Sequence, residues 1–406
     1  MTHVTLINRL QKGMLKPLVF VSLLANVSFA ETSLQQAQLL YSRLAAVKLS
    51  QSSPVLLNIS QLIEAKKWKE AADVAIGSDD FSNVSLFQFF SPLSSRTENP
   101  DIELNDFIAM GIANSFIDPV TNKDRPYTNL VEGNFSVTFN GARLSEANND
   151  ALTTAFTART VLTPANLKIV SPQRINIPST AAAGLLTSRQ FLKEHAIAGT
   201  NRRMVHYAFR EFLCSDIKEW KDGDPAITDE FVSRDVSRAP GGGIAGAQQY
   251  QAECRTCHQL QDGMRNAFAK HDFSGTSAVY NVIDRTNPTG VAPKINLNNL
   301  FPGGMVVTDD SWENKATRGA NAQRFGWRGS LSGNGAKAFG EMIGRSFRFS
   351  TCAVEKVFKQ VCKRTLISDE QSLKESLARS FEGDGYSLRG LFKSVALVPE
   401  CMGVKQ

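Results

Sequence analysis

The stretch Cys254-Arg255-Thr256-Cys257-His258 decides how the rest of the chain is interpreted. On a helix, its two cysteines and its histidine occupy positions i, i+3 and i+4, so all three project from one face. Two thiols placed this way can add to the vinyl groups of a haem while the imidazole binds the iron, a pattern typical of c-type haem attachment in exported proteins. The sequence therefore predicts one covalent haem c, with Cys254 and Cys257 as anchors and His258 as the proximal iron ligand.

Other uses of a C-x-x-C-H pattern need neighbours that this sequence lacks. A zinc site takes about four ligands, usually from a second Cys or His pair, and no such pair is present. A redox C-x-x-C is expected in a thioredoxin-like βαβ segment, which the sequence around the motif does not indicate. A structural disulfide is the remaining alternative. Because the motif occurs once, an architecture with several haems is excluded.

The first 30 residues have the pattern of a secretory signal peptide. Residues 9–16 carry three basic side chains and no acidic one, and an apolar segment follows over residues 17–27. That segment is short for a membrane-spanning helix, which needs about 20 apolar residues. Ser28 and Ala30 are small residues at the −3 and −1 positions, so cleavage is expected before Glu31. The prediction is export to the periplasm without a later membrane span, and an uncleaved signal anchor is the alternative.

Composition and charge fit an ordinary exported globular protein. Loss of the predicted signal peptide removes three basic residues and lowers the formal net charge from +6 to +3. A charge this small gives no reason to expect a nucleic-acid partner. It is compatible with a mildly basic surface that meets a redox partner protein in the periplasm.

Apolar periodicity predicts a mainly helical protein with a small β element around residues 134–180. Helical spacing occurs over 33–48, 59–75, 105–116, 200–213 and 247–270, and again from residue 336 onward. Residues 271–335 have few periodic signals and are predicted to form a long ordered loop, of a length that usually has a function. Wrapping the exposed face of a haem would be such a function.

These patterns divide the chain into five predicted regions. They are a signal peptide (1–30), an N-terminal helical region (31–120), a middle region with the small β element and helices (121–240), a cytochrome-c-like haem segment (241–335) and a C-terminal helical region (336–406). The run Gly241-Gly242-Gly243 is the predicted hinge ahead of the haem motif.

The four cysteines outside the motif are Cys214, Cys352, Cys362 and Cys401, an even number that indicates two disulfides in an oxidising compartment. Cys352 and Cys362 fall in a run with helical periodicity, and ten residues of helix separate them by about 15 Å. A disulfide needs Cα atoms within about 7 Å, so these two are not expected to pair with each other. Cys214 and Cys401 are each predicted to bridge to one of them, in either combination. Four reduced, buried thiols are the alternative.

The second iron ligand would determine what the haem can do, because a distal Met or His gives an electron carrier and an open face permits binding or peroxide chemistry. Met305 is the preferred candidate, since it follows the bend Pro302-Gly303-Gly304, 47 residues after His258. Met264 is expected on the proximal side, and Met342 lies in an apolar helix typical of a core. Weaker candidates are His195, His206 and His271. An open site is a further alternative.

Several segments together resemble a family of exported bacterial proteins, known mainly from planctomycetes and proteobacteria. These proteins join adjacent domains of unknown function around one cytochrome-c-type C-x-x-C-H. The family's D-R-P-[FY]-T and the following [DN]-[FY]-[TS]-x-x-N are matched by Asp124–Thr128 and Asn134–Asn140. Its G-[LI]-L-T is Gly184–Thr187, and its G-Y-S-x-R-x-L-x-x-x-[IV] is Gly385–Val395. Where the family often has Met-Asp-Pro-Leu-Gly, this chain has Gln261-Asp262-Gly263-Met264. The resemblance implies a periplasmic haem-binding protein but no particular reaction.

Three functional classes are compatible with these features. The preferred class is a periplasmic mono-haem c-type cytochrome-like protein that carries single electrons. The second is a haem-containing periplasmic oxidoreductase with an unknown substrate, which the length favours because a small carrier domain needs only about 100 residues. The third is an envelope binding or assembly protein with a structural haem. The sequence contains no nucleophile-elbow, P-loop or dinucleotide fingerprint.

Overall fold

Helices dominate the computed structural model of the protein, which describes residues 32–97, 103–144, 148–175, 177–196, 202–223, 248, 255–280 and 309–402. The predicted mainly helical class with small sheets is confirmed for these residues. None of the helices in this part of the chain has the length and apolar character needed to cross a bilayer. The chain from Ser33 onward clusters as one unit with a continuous apolar core. The predicted region boundaries at 120, 240 and 335 stay predictions.

The first nine α-helices of the described residues are α1 Ser33–Ala45, α2 Pro54–Glu64, α3 Trp68–Ile76, α4 Leu86–Phe90, α5 Asp106–Asn114, α6 Asn129–Glu132, α7 Asp150–Thr157, α8 Arg189–His195 and α9 Arg202–Leu213. The next seven are α10 Arg255–Asp262, α11 Gly319–Phe325, α12 Gly335–Arg345, α13 Phe347–Cys362, α14 Gln371–Gly383, α15 Leu388–Ala396 and α16 Pro399–Met402. Short 3-10 turns cover Pro92–Ser94, Ser179–Ala181, Gly184–Thr187, Ile217–Gly223, Arg265–Phe268 and Ser368–Glu370, and Phe81–Ser85 is π-helical. The strands are β1 Ser136–Phe139, β2 Ala142–Arg143, β3 Leu167–Val170, β4 His271–Ser274, β5 Ser277–Tyr280, β6 Ser311–Glu313 and β7 Ser332–Asn334.

The N-terminal helices α1, α2 and α3 pack against one another. The single helix predicted over residues 59–75 is wrong, because the chain turns between α2 and α3. Lys66 has φ of +60° at this turn, a left-handed conformation that ends the first helix. The turn lets both helices place their apolar faces against α1, which one straight helix of that length could not do.

Helix α5 lies at the centre of this part of the fold. All of its residues are buried, and it contacts α4, α8, β1 and β3. Asn105 caps this helix, because its side chain accepts a hydrogen bond from the Ile108 backbone N–H at 3.1 Å. The Asp106 carboxylate in turn accepts from the backbone N–H groups of Arg189 and Gln190, at 2.6 and 2.9 Å. It therefore ties the start of α8 to α5.

The predicted small β element is confirmed as a three-stranded antiparallel sheet in the order β2-β1-β3. Ser136 pairs with Val170 and Phe139 with Leu167, so β1 and β3 are paired over four residues. Three of the four residues of β1 are buried, since one side of this strand packs on α5. The β element is thus attached to the helical core.

The prediction that residues 271–335 form one long loop is wrong for the part of it that the structure describes. Residues 271–280 form the antiparallel hairpin β4–β5, in which His271 pairs with Tyr280. Strands β6 and β7 pair across helix α11, with Trp312 opposite Gly333. Strands of three or four residues are too short to show alternation in a sequence, which is why the pattern gave no signal. Residues 281–308 of the predicted loop lie outside the described residues.

The four cysteines outside the motif form two disulfides. We call Cys214–Cys352 the long-range disulfide and Cys362–Cys401 the short-range disulfide, because they close separations of 138 and 39 residues. Cys352 and Cys362 both lie on α13, as predicted, and each bonds to a partner outside that helix. The long-range disulfide joins the end of α9 to α13, and the short-range one joins α13 to the last helix. The sequence had left open which of the two pairings occurs.

Candidate haem-attachment site

Helix α10 carries the second half of the C-x-x-C-H motif. It begins at Arg255 and ends at Asp262, so the predicted helical placement of Cys257 and His258 is confirmed for the backbone. Cys254, Met305 and the predicted hinge at 241–243 lie outside the described residues, and so does the Cys257 side chain. His258 is therefore the motif residue whose surroundings the structure describes.

The His258 imidazole is held in a partly buried position on α10. Its Nδ1 lies 3.1 Å from Nε2 of Gln261, one helical turn further along. Burial, reinforced by the positive charge of Arg202, lowers the pKa of His258 to about 4, and the nearby Asp262 carboxylate opposes the shift only in part. The ring is consequently neutral at physiological pH. A neutral ring has a nitrogen lone pair to offer to iron, which a protonated one lacks.

An enclosed ion pair fixes α10 against α9. Arg202 Nε lies 2.5 Å from Oδ1 of Asp262, and another guanidinium nitrogen lies 2.7 Å from Oδ2. The Asp262 side chain is 0% exposed and that of Arg202 is 14% exposed. A two-point contact of this kind fixes both distance and orientation. The ion pair therefore holds the helix that carries His258 against α9. Helix α10 also contacts the 3-10 segment Ile217–Gly223, which follows α9 in the chain.

His206, also on α9, has its ring nitrogen engaged elsewhere. Its Nε2 lies 3.2 Å from the Asp216 carboxylate. Burial lowers the pKa of His206, although Asp216 opposes the shift. The same helix thus presents both Arg202 and His206 toward the region of the motif, and each already has an acidic partner.

The other predicted ligand candidates with described side chains are all deeply buried. Met342 packs in the core of α12, where its sulfur accepts from the Asn314 amide at 3.4 Å. His271 Nε2 lies 3.0 Å from the carbonyl oxygen of Ala181. Met264 is enclosed in the turn after α10. Each is held by neighbours that are part of the fold.

His195 has a different environment. Its ring stacks on Tyr207 with 4.1 Å between the centroids and meets Phe191 edge-on at 4.6 Å. Burial, reinforced by the charge of Arg210, lowers the pKa of His195 well below its usual value. Nδ1 has no hydrogen-bond partner among the described residues. The ring is a neutral part of an aromatic cluster rather than a surface histidine.

Sequence reasoning missed three residues that surround His258: Arg202, Gln261 and Asp262. Two of them had a readable signal, because Gln261 and Asp262 stand at i+3 and i+4 from His258 and so share its helix face. Arg202 had none, since it is 60 residues away from its partner in the sequence. The neighbouring Gln259 is also buried. Polar side chains this deeply enclosed next to the motif are unusual in a core.

The state of the His258 ring is compatible with the predicted role of an axial haem ligand. Nowhere among the described residues do three or more His, Cys, Asp or Glu side chains converge to hold a metal ion. His258 instead stands as a single neutral donor, which is what one axial position of a haem requires. It lies on a helix, directly after Cys257.

The comparisons add no relative to this picture. We found no match to the chain among protein family models, curated proteins or solved structures.

Proposed function

We propose that the protein is a periplasmic mono-haem c-type cytochrome that carries single electrons. Cys254 and Cys257 hold the haem through thioethers, His258 is the proximal iron ligand and Met305 the distal one. When bound, the haem supplies a one-electron redox couple. The rest of the chain shields it and presents it to a redox partner protein.

The observation that carries this proposal is the placement of His258, which follows Cys257 on α10, is partly buried and has its Nδ1 3.1 Å from Nε2 of Gln261. A partly buried imidazole with its pKa lowered to about 4 stays neutral, and it follows directly after a cysteine on a helix. A buried ring that stays neutral keeps a nitrogen lone pair for iron, which favours its role as a ligand. A histidine at the surface would keep its usual pKa. The two disulfides support export, because disulfides form in the oxidising periplasm.

A redox titration with parallel spectra tests the carrier function. We expect the purified protein, matured in the periplasm, to cycle reversibly between ferric and ferrous forms. A far-red charge-transfer band in the ferric form is expected for Met–iron ligation, and its loss in Met305→Ala would assign the ligand. An unchanged spectrum in Met305→Ala would remove that assignment, and failure to cycle would contradict the carrier function.

A periplasmic haem-containing oxidoreductase is the second candidate. It is favoured by the size of the helical core outside the predicted haem segment and by a groove of about 340 Å³ on the same body. Asp118, Asp124, Arg125 and Asn134 line this groove together with apolar side chains. Turnover of an added substrate, abolished by Asp124→Asn but with the haem spectrum unchanged, would favour this function over the carrier.

A further inference from the structure

Gln261 makes a contact with His258 that bears on how the imidazole would bind iron. The Gln261 side chain is 1% exposed, and its Nε2 lies 3.1 Å from His258 Nδ1. Its Oε1 is buried and has no hydrogen-bond partner among the described residues. The His258 Nε2 forms no hydrogen bond within that part of the chain, so Nδ1 is the ring nitrogen with a described hydrogen-bond partner.

The direction of this hydrogen bond decides which ring nitrogen carries the proton. A neutral imidazole has one N–H donor and one acceptor nitrogen. With the amide nitrogen of Gln261 donating to Nδ1, the proton must be on Nε2, the other ring nitrogen. Iron at Nε2 needs that lone pair, so the proton must move to Nδ1, which then requires an acceptor.

The carboxamide of Gln261 can supply that acceptor by a half-turn about its last side-chain bond. The two ends of an amide have nearly the same shape, so the turn needs no rearrangement of the packing. It exchanges which amide atom faces Nδ1 and leaves the other atom in the same enclosed position. The number of unpaired buried amide atoms is therefore unchanged, and the ring proton alone decides which orientation is preferred.

We propose that Gln261 is the positioning residue of the proximal ligand, with its Oε1 accepting from His258 Nδ1–H when the haem is bound. This inference rests on the proposed function. The bond holds the His258 ring in one orientation about its Cβ–Cγ bond. An acceptor at Nδ1 also makes the imidazole a stronger electron donor, which stabilises ferric iron relative to ferrous iron. Gln261 thereby sets part of the reduction potential.

Three variants of the full, haem-loaded protein test this role. Gln261→Glu places a stronger acceptor of the same shape at Nδ1, and Gln261→Leu removes the acceptor. Gln259→Leu is the matched control, because Gln259 is equally buried on the same helix and has an unpartnered Oε1, yet makes no described contact with His258. The measurements are the reduction potential and the iron–imidazole stretching frequency of the ferrous protein, the second recorded in a Met305→Ala background in which the iron is five-coordinate.

We expect Gln261→Glu to lower the potential and raise the stretching frequency, and Gln261→Leu to do the reverse. A tenfold change in the ferric-to-ferrous preference corresponds to about 59 mV for one electron. Gln259→Leu should leave both readouts at the wild-type value. If Gln261→Leu does not accumulate, Gln261→Glu and the control still decide the matter.

Two results would overturn the proposal. One is a potential and a stretching frequency that are the same in Gln261→Glu as in the wild type. The other is a control variant that shifts them as far as the Gln261 variants do. A wild-type chain that carries no covalent haem would instead overturn the proposed function, and the role of Gln261 with it.

Discussion

Replacing Asp262 with asparagine removes the negative charge from the ion pair that holds α10 against α9. The substitution keeps the size of the side chain, so the packing around it is preserved. Arg202 is left with its charge in a site where 14% of its side chain is exposed and its former carboxylate partner had been fully enclosed. Breaking a buried pair from one side typically costs about 3–5 kcal/mol of folding free energy, because this carboxylate no longer offsets the desolvation of the remaining charge.

The surface pair Lys67–Glu70 provides the matched control. Its two side chains are 54% and 56% exposed, with 3.1 Å between the charged atoms. Exposed pairs of this kind contribute about 0–1 kcal/mol, so Glu70→Gln should change stability very little. Urea unfolding followed by circular dichroism, with the disulfides intact, measures both variants under the same conditions.

A double variant separates the value of the pair from the cost of breaking it. Replacing Arg202 with Met and Asp262 with Leu removes both charges, and apolar residues of similar volume are often tolerated in place of a buried pair. We therefore expect the double variant to be more stable than Asp262→Asn alone. Equal, small losses for Asp262→Asn and Glu70→Gln would refute the structural reasoning, and so would a double variant that is the least stable of all.

Three further perturbations give distinct outcomes in unfolding experiments. Removing the long-range disulfide by a double Cys→Ala change should lower the free energy of unfolding by about 5 kcal/mol, and removing the short-range disulfide should lower it by about 4 kcal/mol, because closing the longer loop restricts the unfolded chain more. The reverse order would contradict this reasoning. Gly340→Ala should destabilise the fold by about 1–3 kcal/mol or more, because an added Cβ would lie 1.6 Å from the carbonyl oxygen of Val131. Gly383→Ala has open space around the added Cβ and should be neutral or slightly stabilising. Equal effects of the two variants would be inconsistent with this packing. The hydrogen bond from Arg364 lowers the pKa of Glu370 from 4.5 to about 2. Glu370→Gln should therefore be less stable than the wild type above pH 4.5, and this difference in stability should vanish as the pH falls through about 2. A difference in stability that is independent of pH would argue against this pair.

Local patterns in the sequence predicted the helices that end with clear signals. Asn105 and Ser387 are of the residue types that favour helix N-caps, and each accepts a hydrogen bond from a backbone N–H in the structure. The geometry of a helix was enough to predict that Cys352 and Cys362 do not pair with each other. These predictions succeeded because cause and effect lie within a few residues of each other.

The predictions that were wrong or missing concern contacts between distant parts of the chain or very short elements. The break between α2 and α3 occurs at Lys66, where no Gly or Pro marks the turn. Strands β4 to β7 have three or four residues each, and their pairing partners determine them more than their own composition does. The contact between Arg202 and Asp262 joins two helices that are well separated in sequence. A single sequence carries no signal for such a contact.

The chemistry of the site stays a prediction from the motif, and the sequence indicated its surroundings only in part. The spacing of the motif gave His258 its proposed role as ligand, while the enclosure that keeps its ring neutral became visible only in the structure. Gln261 stands one helical turn from His258 in the sequence, yet nothing in the sequence indicated that it would be buried against the ring.

The mass and absorption spectrum of the denatured protein test the central claim most directly. The chain would be produced in a periplasm that attaches haem, and compared with a Cys254→Ala/Cys257→Ala variant. The proposal predicts that the wild-type polypeptide keeps one haem through denaturation, seen as a mass increase of one haem per chain, and that the double variant does not. A wild-type chain with no added mass, or a double variant that still carries covalent haem, would contradict it.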